Sequence, residues 1–462
     1  MNQRPNSPAA RDVAYHLHPY TDARKHEEQG PMVISGGSGA SVTDEEGRSY
    51  IEAMAGLWCA ALGFDEERLA QVAYEQMRTL PYYHTFAHKV PLPVTELAER
   101  LISMAPGDMG KAFFANSGSE ANDTALKIVW YYNNARGRPE KKKIISRQKA
   151  YHGVTIATAS LTGLPANHRD FDLPIARVLH TGCPHHYRFA EAGESEEDFA
   201  TRRAEELEQM ILEEGPETVA AFIGEPVMGA GGVIVPPKTY WEKIQRVLRK
   251  HDVLLIADEV ICGFGRTGNM FGSETFDIRP DMVSVAKALS SAYLPISAVM
   301  MTDEIYQTVA DNSHKIGVFG HGFTYSGHPV SAAVANEALK IYEERDILSR
   351  VRALTPRLQD GLRSLADHPL VGEVRGLGMI AGVELVADKA TKAPFDPLGK
   401  VGGYCYARAQ EHGIIVRNVM DTLAICPPFV IREREIDAIV QALGRALDDT
   451  LAWARDQGLT SA

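Results

Sequence analysis

The sequence predicts an α/β protein organised around a mainly parallel sheet, and three observations carry that expectation. Short apolar runs of strand length alternate with segments whose apolar residues recur at helical spacing, the pattern that strand-helix-strand units produce. Most of these runs stop at a polar or glycine-containing cluster, where an open parallel sheet gathers ligands outside its carboxyl ends. The chain has 462 residues, 45% of them hydrophobic, enough to bury a large core and to divide into two or three regions.

Residues up to about 75 mix glycine turns with short strand candidates in ASVTDEEGRSYIEAMAGLW. TELAERLISMA then places Leu97, Ala98, Leu101, Ile102 and Ala105 at helical spacing, and KAFFA reads as a short strand. The helix ANDTALKIVWYYNNARG runs to a glycine stop at Gly137, and KKIISR is the next strand. The alternation continues through VAAFIGEP, the helix YWEKIQRVLRKHD, and the strands VLLIADE and DMVSVAKAL. After about residue 335, long helices alternate with GEVRGLGMIAGVELV and LAICPPFVI. The expected division is a large domain over 76–335 and a small one shared by 1–75 and 336–462. The charged stretch from Cys183 to Arg203 is expected to be an irregular surface excursion.

A formal net charge of −12 argues against a general nucleic-acid binder, and Lys141-Lys142-Lys143 reads as a solvated helix-to-strand connection. No apolar stretch approaches a membrane span, and MNQRPNSPAARD lacks the apolar centre of a secretory signal, so the expected compartment is the cytoplasm. Cys59, Cys183, Cys262, Cys405 and Cys426 are odd in number and far apart, which suits reduced thiols. His84 and His88 stand four apart and could share a helix face, but no glutamate completes a metal motif, and no metal is expected.

The chemistry is expected where the strands end. Ser117-Gly118-Ser119 opens a helix and offers free N–H groups and the positive end of the helix dipole, which suits a phosphate; a plain N-cap is the alternative. Tyr151 and His152 follow the next strand, and Glu225 the one after. Asp258 stands behind four apolar residues, where a buried carboxylate needs a cationic partner such as a protonated ring nitrogen. Lys287 supplies an amine whose pKa burial would lower, as Schiff-base lysines require. Taken singly, Asp258 and Lys287 could be polar strand ends in water. Together with the serine cup and an aromatic, they are the parts of a pyridoxal phosphate site: anchor, stacking face, ring-nitrogen partner and covalent lysine.

The literal G-x-G-x-x-G of Gly263, Gly265 and Gly268 is read as a turn, because a dinucleotide loop needs its third glycine to open a helix and NMFGSETFDIRPD has no helical period. A nicotinamide-dependent dehydrogenase is the corresponding alternative.

NSGSEAND, YHG, GEPVMGAGG, LLIADEVICGFGRTG, AKALSSAYLPISAV and HGFTYSGHP, in this order, resemble the successive motifs of the class III pyridoxal-phosphate aminotransferases over nearly the whole chain. The resemblance implies a fold-type I enzyme with a seven-stranded sheet between helices, acting as a homodimer, or a dimer of dimers, with active sites at the subunit interface. By motif, Lys287 resembles the lysine that carries the cofactor and Asp258 the ring-nitrogen partner. Tyr151 and Val260 resemble the residues enclosing the ring, Gly118 and Ser119 the phosphate cup, and Thr324, with Phe323, the phosphate contact from the other subunit.

Within that family, Ala230 stands where ornithine-type and 4-aminobutyrate-type enzymes usually carry a glutamate that masks a substrate-binding arginine. GAGG, Trp58, Tyr20 and Phe86 resemble the ω-amine:pyruvate subgroup and its aromatic pocket; core packing is the alternative for the three aromatics. Arg417 resembles that subgroup's mobile arginine, which clamps a carboxylate and swings aside for donors without one; an ordinary surface ion pair is its alternative. Met228 departs from the usual glutamine near the ring hydroxyl. The implied reaction moves an amino group from an amine donor, such as an ω-amino acid, a polyamine or an aryl-alkyl amine, to pyruvate, with the cofactor passing through pyridoxamine phosphate. An aminomutase or a decarboxylase of the same fold would use the same lysine and aspartate.

Overall fold

Apolar runs without polar alternation become strands covered on both faces, because only a sheet sandwiched between helices hides both sides of a strand. The computed structural model describes residues 6–460. Its large sheet has seven strands: β1 Met109–Ala115, β2 Lys143–Arg147, β3 Val178–Thr181, β4 Val219–Gly224, β5 Leu254–Asp258, β6 Met282–Val285 and β7 Ser297–Thr302. Every residue of β4 and β6 is buried. The spatial order is β1-β7-β6-β5-β4-β2-β3. β7 runs antiparallel to both neighbours and the remaining pairs are parallel, so the carboxyl ends of six strands share one edge.

Two four-stranded sheets lie outside this one. Ile34–Ser38, Ser41–Asp44 and Ser49–Glu52 form a meander, and Ile414–Ile415 pairs parallel with its last strand, so distant parts of the chain meet in one sheet. Val371–Leu377, Ile380–Leu385, Thr422–Ile425 and Arg417–Val419 form an antiparallel sheet in that order. Between the layers, the helix Pro329–Glu344 buries Ala332, Ala335 and Ala338, small side chains that let the helices Glu67–Thr79 and Leu92–Met104 approach it closely. The chain before these sheets carries two short helices, α1 Pro8–Tyr15 and α2 Ala23–Gln29. Among the described residues, no helix is long and apolar enough to cross a membrane.

Several local expectations need correction. The run DMVSVAKAL stops being a strand at Val285; Lys287–Ser290 is a 3-10 turn, and Lys287 itself has φ +52°. The stretch from Cys183 to Arg203 is not irregular: Cys183 and His185 are buried, and a helix starts at Glu196, capped by Ser195. His84 and His88 share no helix, because the segment is extended and Ala87 and His88 turn it at φ +50° and +64°. Lys141 is buried, its ammonium facing the His251 carbonyl and Asp252, whereas a solvated connection was expected. The G-x-G-x-x-G segment is a turn, with Gly265 and Gly268 at φ +109° and +94°, and no helix opens at Gly268. Arg266 within it is buried over the Phe429 ring and donates to the carbonyls of Met379 and Pro427, so the loop ties the large sheet's flank to the C-terminal sheet.

Glu52 controls how the first meander hands the chain on to Trp58. Its Oε2 accepts the N–H groups of Met54 and Gly56, closing a turn in which Ala55, Gly56 and Trp58 lie at φ +47°, +68° and +67°. A buried tryptophan in the left-handed region is held only where its surroundings over-determine it. Burial pushes the Glu52 carboxyl up to about 7, against the pull of those two hydrogen bonds. With the folded pKa raised, the stability associated with neutral Glu52 is fully present below about 4.5 and is lost as the pH rises through about 7. Glu52→Gln keeps an oxygen for both donors and cannot ionise. Relative to the wild type, this variant is expected to gain up to about 3 kcal/mol between pH 5 and pH 8, read from urea unfolding at the two pH values; equal losses in both proteins would refute the assignment.

Candidate active site

The shared carboxyl edge of the sheet assembles the site. Ser117 follows β1 as the N-cap of the helix Gly118–Ala135, its Oγ accepting from Glu120 N at 3.2 Å, so this serine does plain capping work. Ser119 Oγ accepts from Val154 N at 3.1 Å. Gly118 is needed for contact: a Cβ there would lie 3.0 Å from a Val260 methyl, so Val260 packs directly over the helix start. Gly153, at φ +134°, lets the Tyr151-His152-Gly153 loop lie against the same turn, where a Cβ would meet Ser119 Oγ at 2.6 Å. The first-turn N–H groups have no intrahelical acceptors and carry the positive end of the dipole.

Asp258 closes β5 and is almost wholly buried. Its Oδ2 accepts from His152 Nδ1 and from Asn122 Nδ2, both at 2.7 Å, and its Oδ1 accepts from Val260 N at 3.1 Å. His152 is therefore the partner that the structure gives this carboxylate, with its own Nε2 buried and unpaired. Asn122, on the buried face of the helix Gly118–Ala135, was missed in the sequence; its signal is a polar residue one turn inside an apolar helix face. Glu225 is also buried, and both its oxygens serve the backbone: Oε1 takes Tyr151 N and Oε2 takes Gly229 N. Burial pushes its carboxyl up. It orders the loops that carry Tyr151 and Ala230. Lys287 follows β6, and burial drives its amine pKa down against the opposing pull of Cys59, Asp258 and Glu225.

A second group faces this one. The Tyr20 and Tyr151 rings meet edge-on at 6.5 Å, and Asn167 Nδ2 donates to the Tyr20 hydroxyl. The Tyr151 phenol is pushed up, first by burial and then by Tyr20, while the charge of Arg417 pulls it back. Arg417 is half-buried on its strand opposite Ala424, and among the described residues no carboxylate pairs with it, so the surface ion-pair alternative fails. Trp58 is buried against Met54, Val227 and Ile261. Ala230 sits in a loop fixed by Arg375, which donates to the carbonyls of Gly232 and Val233. Met228 is fully buried beside Ala150, Cys183 and Ile234, an apolar setting for a side chain that replaces a polar one.

Phe86, Phe323 and Thr324 lie apart from both groups. Phe86 is exposed and packs on Gly322, Tyr82 donates to the Thr324 carbonyl at 2.7 Å, and the Phe323 ring meets His321. Among the described residues, no hydrogen bond or ring contact joins these three side chains to Tyr151, Asp258 or Lys287.

These residues fit a phosphorylated pyridine aldehyde. The helix start offers donors for a phosphate, Asp258 Oδ1 retains a free acceptor lone pair beside a fixed carboxylate, and Lys287 offers an amine whose protonated form burial disfavours. Comparison with known proteins agrees. Residues 23–447 match the family described as Aminotransferase class-III. A tomato (Solanum lycopersicum) protein named gamma aminobutyrate transaminase 1, mitochondrial, is 53% identical over 435 residues, 94% of this chain and 84% of its own length. The rice (Oryza sativa subsp. indica) gamma-aminobutyrate transaminase 1, mitochondrial, is also 53% identical, with the same shares covered. Among solved structures, the omega transaminase from Pseudomonas jessenii in complex with PMP is 60% identical, with a TM-score of 0.96 over 97% of this chain and 99% of that one. A thermostable omega transaminase variant, W58M/F86L/R417L, engineered for asymmetric synthesis of enantiopure bulky amines, is 59% identical, with a TM-score of 0.96 over 97% of this chain and 100% of that one. The chain belongs to the class III aminotransferases, pyridoxal-phosphate-dependent enzymes of fold type I.

Proposed function

We propose that this aminotransferase moves an amino group from an amine donor to pyruvate, giving alanine and an aldehyde or ketone. The observation that carries the reading is Arg417: a half-buried arginine whose charge reaches Tyr151, without a carboxylate partner among the described residues. A bidentate clamp of that kind suits the carboxylate of pyruvate or alanine. Ala230 supplies no acid to mask it. The same clamp accommodates an ω-amino acid donor, and the 4-aminobutyrate named in the plant relatives is one such donor. The engineered neighbour supports the aromatic wall, since its substitutions for bulky amines fall on a tryptophan, a phenylalanine and an arginine bearing the numbers of Trp58, Phe86 and Arg417 here.

Pyridoxal phosphate, when bound, supplies the electron sink for negative charge at the reacting carbon. Gly118 and Ser119 would hold its phosphate, and Tyr151 and Val260 would enclose its ring. Asp258 keeps a proton on the ring nitrogen, and His152 and Asn122 hold that carboxylate in its orientation. Lys287 Nζ would hold the cofactor and, once free, would move the proton at the substrate carbon, a task its burial favours by disfavouring the ammonium form. Phe86, Phe323 and Thr324 would serve the site of a second copy of the chain, which fits their lying apart from Tyr151, Asp258 and Lys287. Residues 76–335 form the cofactor domain, and 1–75 with 336–462 form the smaller one that brings Tyr20, Trp58 and Arg417.

Two variants test the reading. Lys287→Ala is expected to retain pyridoxal phosphate in equilibrium dialysis while turnover falls at least about 10³-fold; turnover near wild type would sink the assignment. Arg417→Leu is expected to lose about 10- to 100-fold in kcat/KM for pyruvate while the half-reaction with 1-phenylethylamine changes little, as loss of a charge-assisted pair implies. An equal loss in both half-reactions would remove the carboxylate role from Arg417.

A further inference from the structure

The segment before the first sheet holds a cluster that the transamination chemistry does not use. Asp12 on α1 is surrounded by three imidazoles. His16 Nδ1 lies 3.0 Å from its Oδ1, and His18 Nε2 and His26 Nε2 lie 2.7 and 3.0 Å from its Oδ2. The His18 ring sits between the other two, with centroids 4.2 and 4.1 Å away. Sequence spacing explains the convergence. Asp12 lies in the last turn of α1 and His16 is its C-cap, whose N–H donates to the Asp12 carbonyl; His18 follows as the chain runs extended, and α2 returns His26 to the same point. The imidazoles, His16 foremost, hold the Asp12 carboxyl down to about 2.

Apolar burial does little for this segment. Neither α1 nor α2 contains a buried residue; Tyr15 at the end of α1 and Leu17 after it are 89% and 82% exposed. Four convergent side chains therefore join two helices that have no core of their own.

We propose that Asp12, His16, His18 and His26 bind one divalent transition-metal ion of the Zn²⁺ class, which staples α1 to α2. Three imidazoles and one carboxylate are a complete donor set for such an ion, and nitrogen donors select against Mg²⁺ and Ca²⁺. Tetrahedral metal–ligand distances of about 2.0–2.1 Å put donor atoms about 3.3 Å apart; the contacts of Asp12 with its three imidazoles open by about half an ångström to reach that, and His26, outside the close group of Asp12, His16 and His18, swings inward as the fourth ligand. The donor atoms of Asp12, His16 and His18 already lie within 4.8 Å of one another. A second group of similar donors, His185 with Glu373 and Glu384, is closed to a cation because the guanidiniums of Arg375 and Arg188 already occupy its carboxylates. The staple lies two residues from Tyr20, across Pro19, so a bound ion fixes the chain where it joins the aromatic wall. The site itself does not rest on the proposed amine:pyruvate activity.

The test uses the full-length, cofactor-loaded protein after chelator treatment, titrated with Zn²⁺ against a chromophoric competitor and with Co²⁺ by visible absorption. The expected result is one tightly held ion per chain, with Co²⁺ bands of tetrahedral nitrogen–oxygen coordination and slower tryptic cleavage at Arg11, Arg24 and Lys25. Asp12→Asn and His18→Ala should each weaken Zn²⁺ by at least about tenfold while leaving thermal unfolding of the cofactor-loaded protein unchanged, because neither α1 nor α2 places a residue in a core. Zn²⁺ affinity and stoichiometry unchanged in both variants would place the ion elsewhere and overturn the site. A bound ion with unchanged cleavage would overturn the staple.

Discussion

The buried Asp258 carboxylate is the constraint around which the rest of the site is arranged. A charge at the end of an inner strand cannot reach water, and leaving it unpaired would cost several kcal/mol or force it to take up a proton. The chain answers with two side chains from separate segments, His152 after β2 and Asn122 inside the helix that follows β1. Bringing them together fixes the relative positions of three strand ends. It also explains the glycines: Gly118 lets Val260 cover the helix start, and Gly153 lets the histidine loop pass over Ser119. The helix start and the carboxylate are thus held at a fixed separation before any ligand arrives, which is what preorganised recognition of a charged aromatic requires.

The same logic extends to the substrate wall. Glu225 accepts with one oxygen from Tyr151 N and with the other from Gly229 N, so it ties the ring-covering loop to the G-A-G-G loop. Arg375 ties that second loop to the antiparallel sheet through the Gly232 and Val233 carbonyls, while Glu373 and Glu384 neutralise its charge. Arg417 lies in that same sheet. Buried ionic links of this kind add little net stability, but breaking one partner leaves a costly orphan charge, so they define relative position more than they strengthen the fold. Arg417, with which no carboxylate pairs among the described residues, is therefore carried on a rigid frame.

How much of this was legible in the sequence follows from the range of each interaction. The α/β class, the strand ends and the residues just after them could be read because a parallel sheet places its ligand-facing positions immediately after each apolar run; Asp258, Tyr151, His152 and Lys287 all sit there. The turn character of the glycine loop was equally local. What pairs at long range was not readable. Asn122 meets Asp258 across 136 positions, and Arg375 meets Gly232 across 143. Glu52 could have been found locally, since a strand ending in an acid before Ala-Met-Ala-Gly is a turn signal, but its burial could not. His84 and His88 mislead because a four-residue spacing implies a shared face only if the segment is helical, whereas Asp12 and His16 meet at the end of a real helix, with His16 as its C-cap.

Lys287 shows why the last step from motif to mechanism needs coordinates. Read as the end of a strand, it would point to one side of the sheet by simple alternation. In the structure the strand has already ended at Val285, and the lysine stands at φ +52° at the start of a 3-10 turn, a strained backbone for a side chain of its size. Such a conformation costs of order 1–3 kcal/mol and persists only where the surroundings impose it. Here they do so with buried neighbours on both sides: Ala286 before it, Ala288 and Leu289 after it, and the Tyr342 hydroxyl on the Ala288 carbonyl. The strain therefore keeps the amine in a water-poor setting beside two carboxylates that it does not pair with, where its neutral form is favoured. A regular strand would have given the lysine a direction; the imposed turn gives it the depth that lowers its pKa.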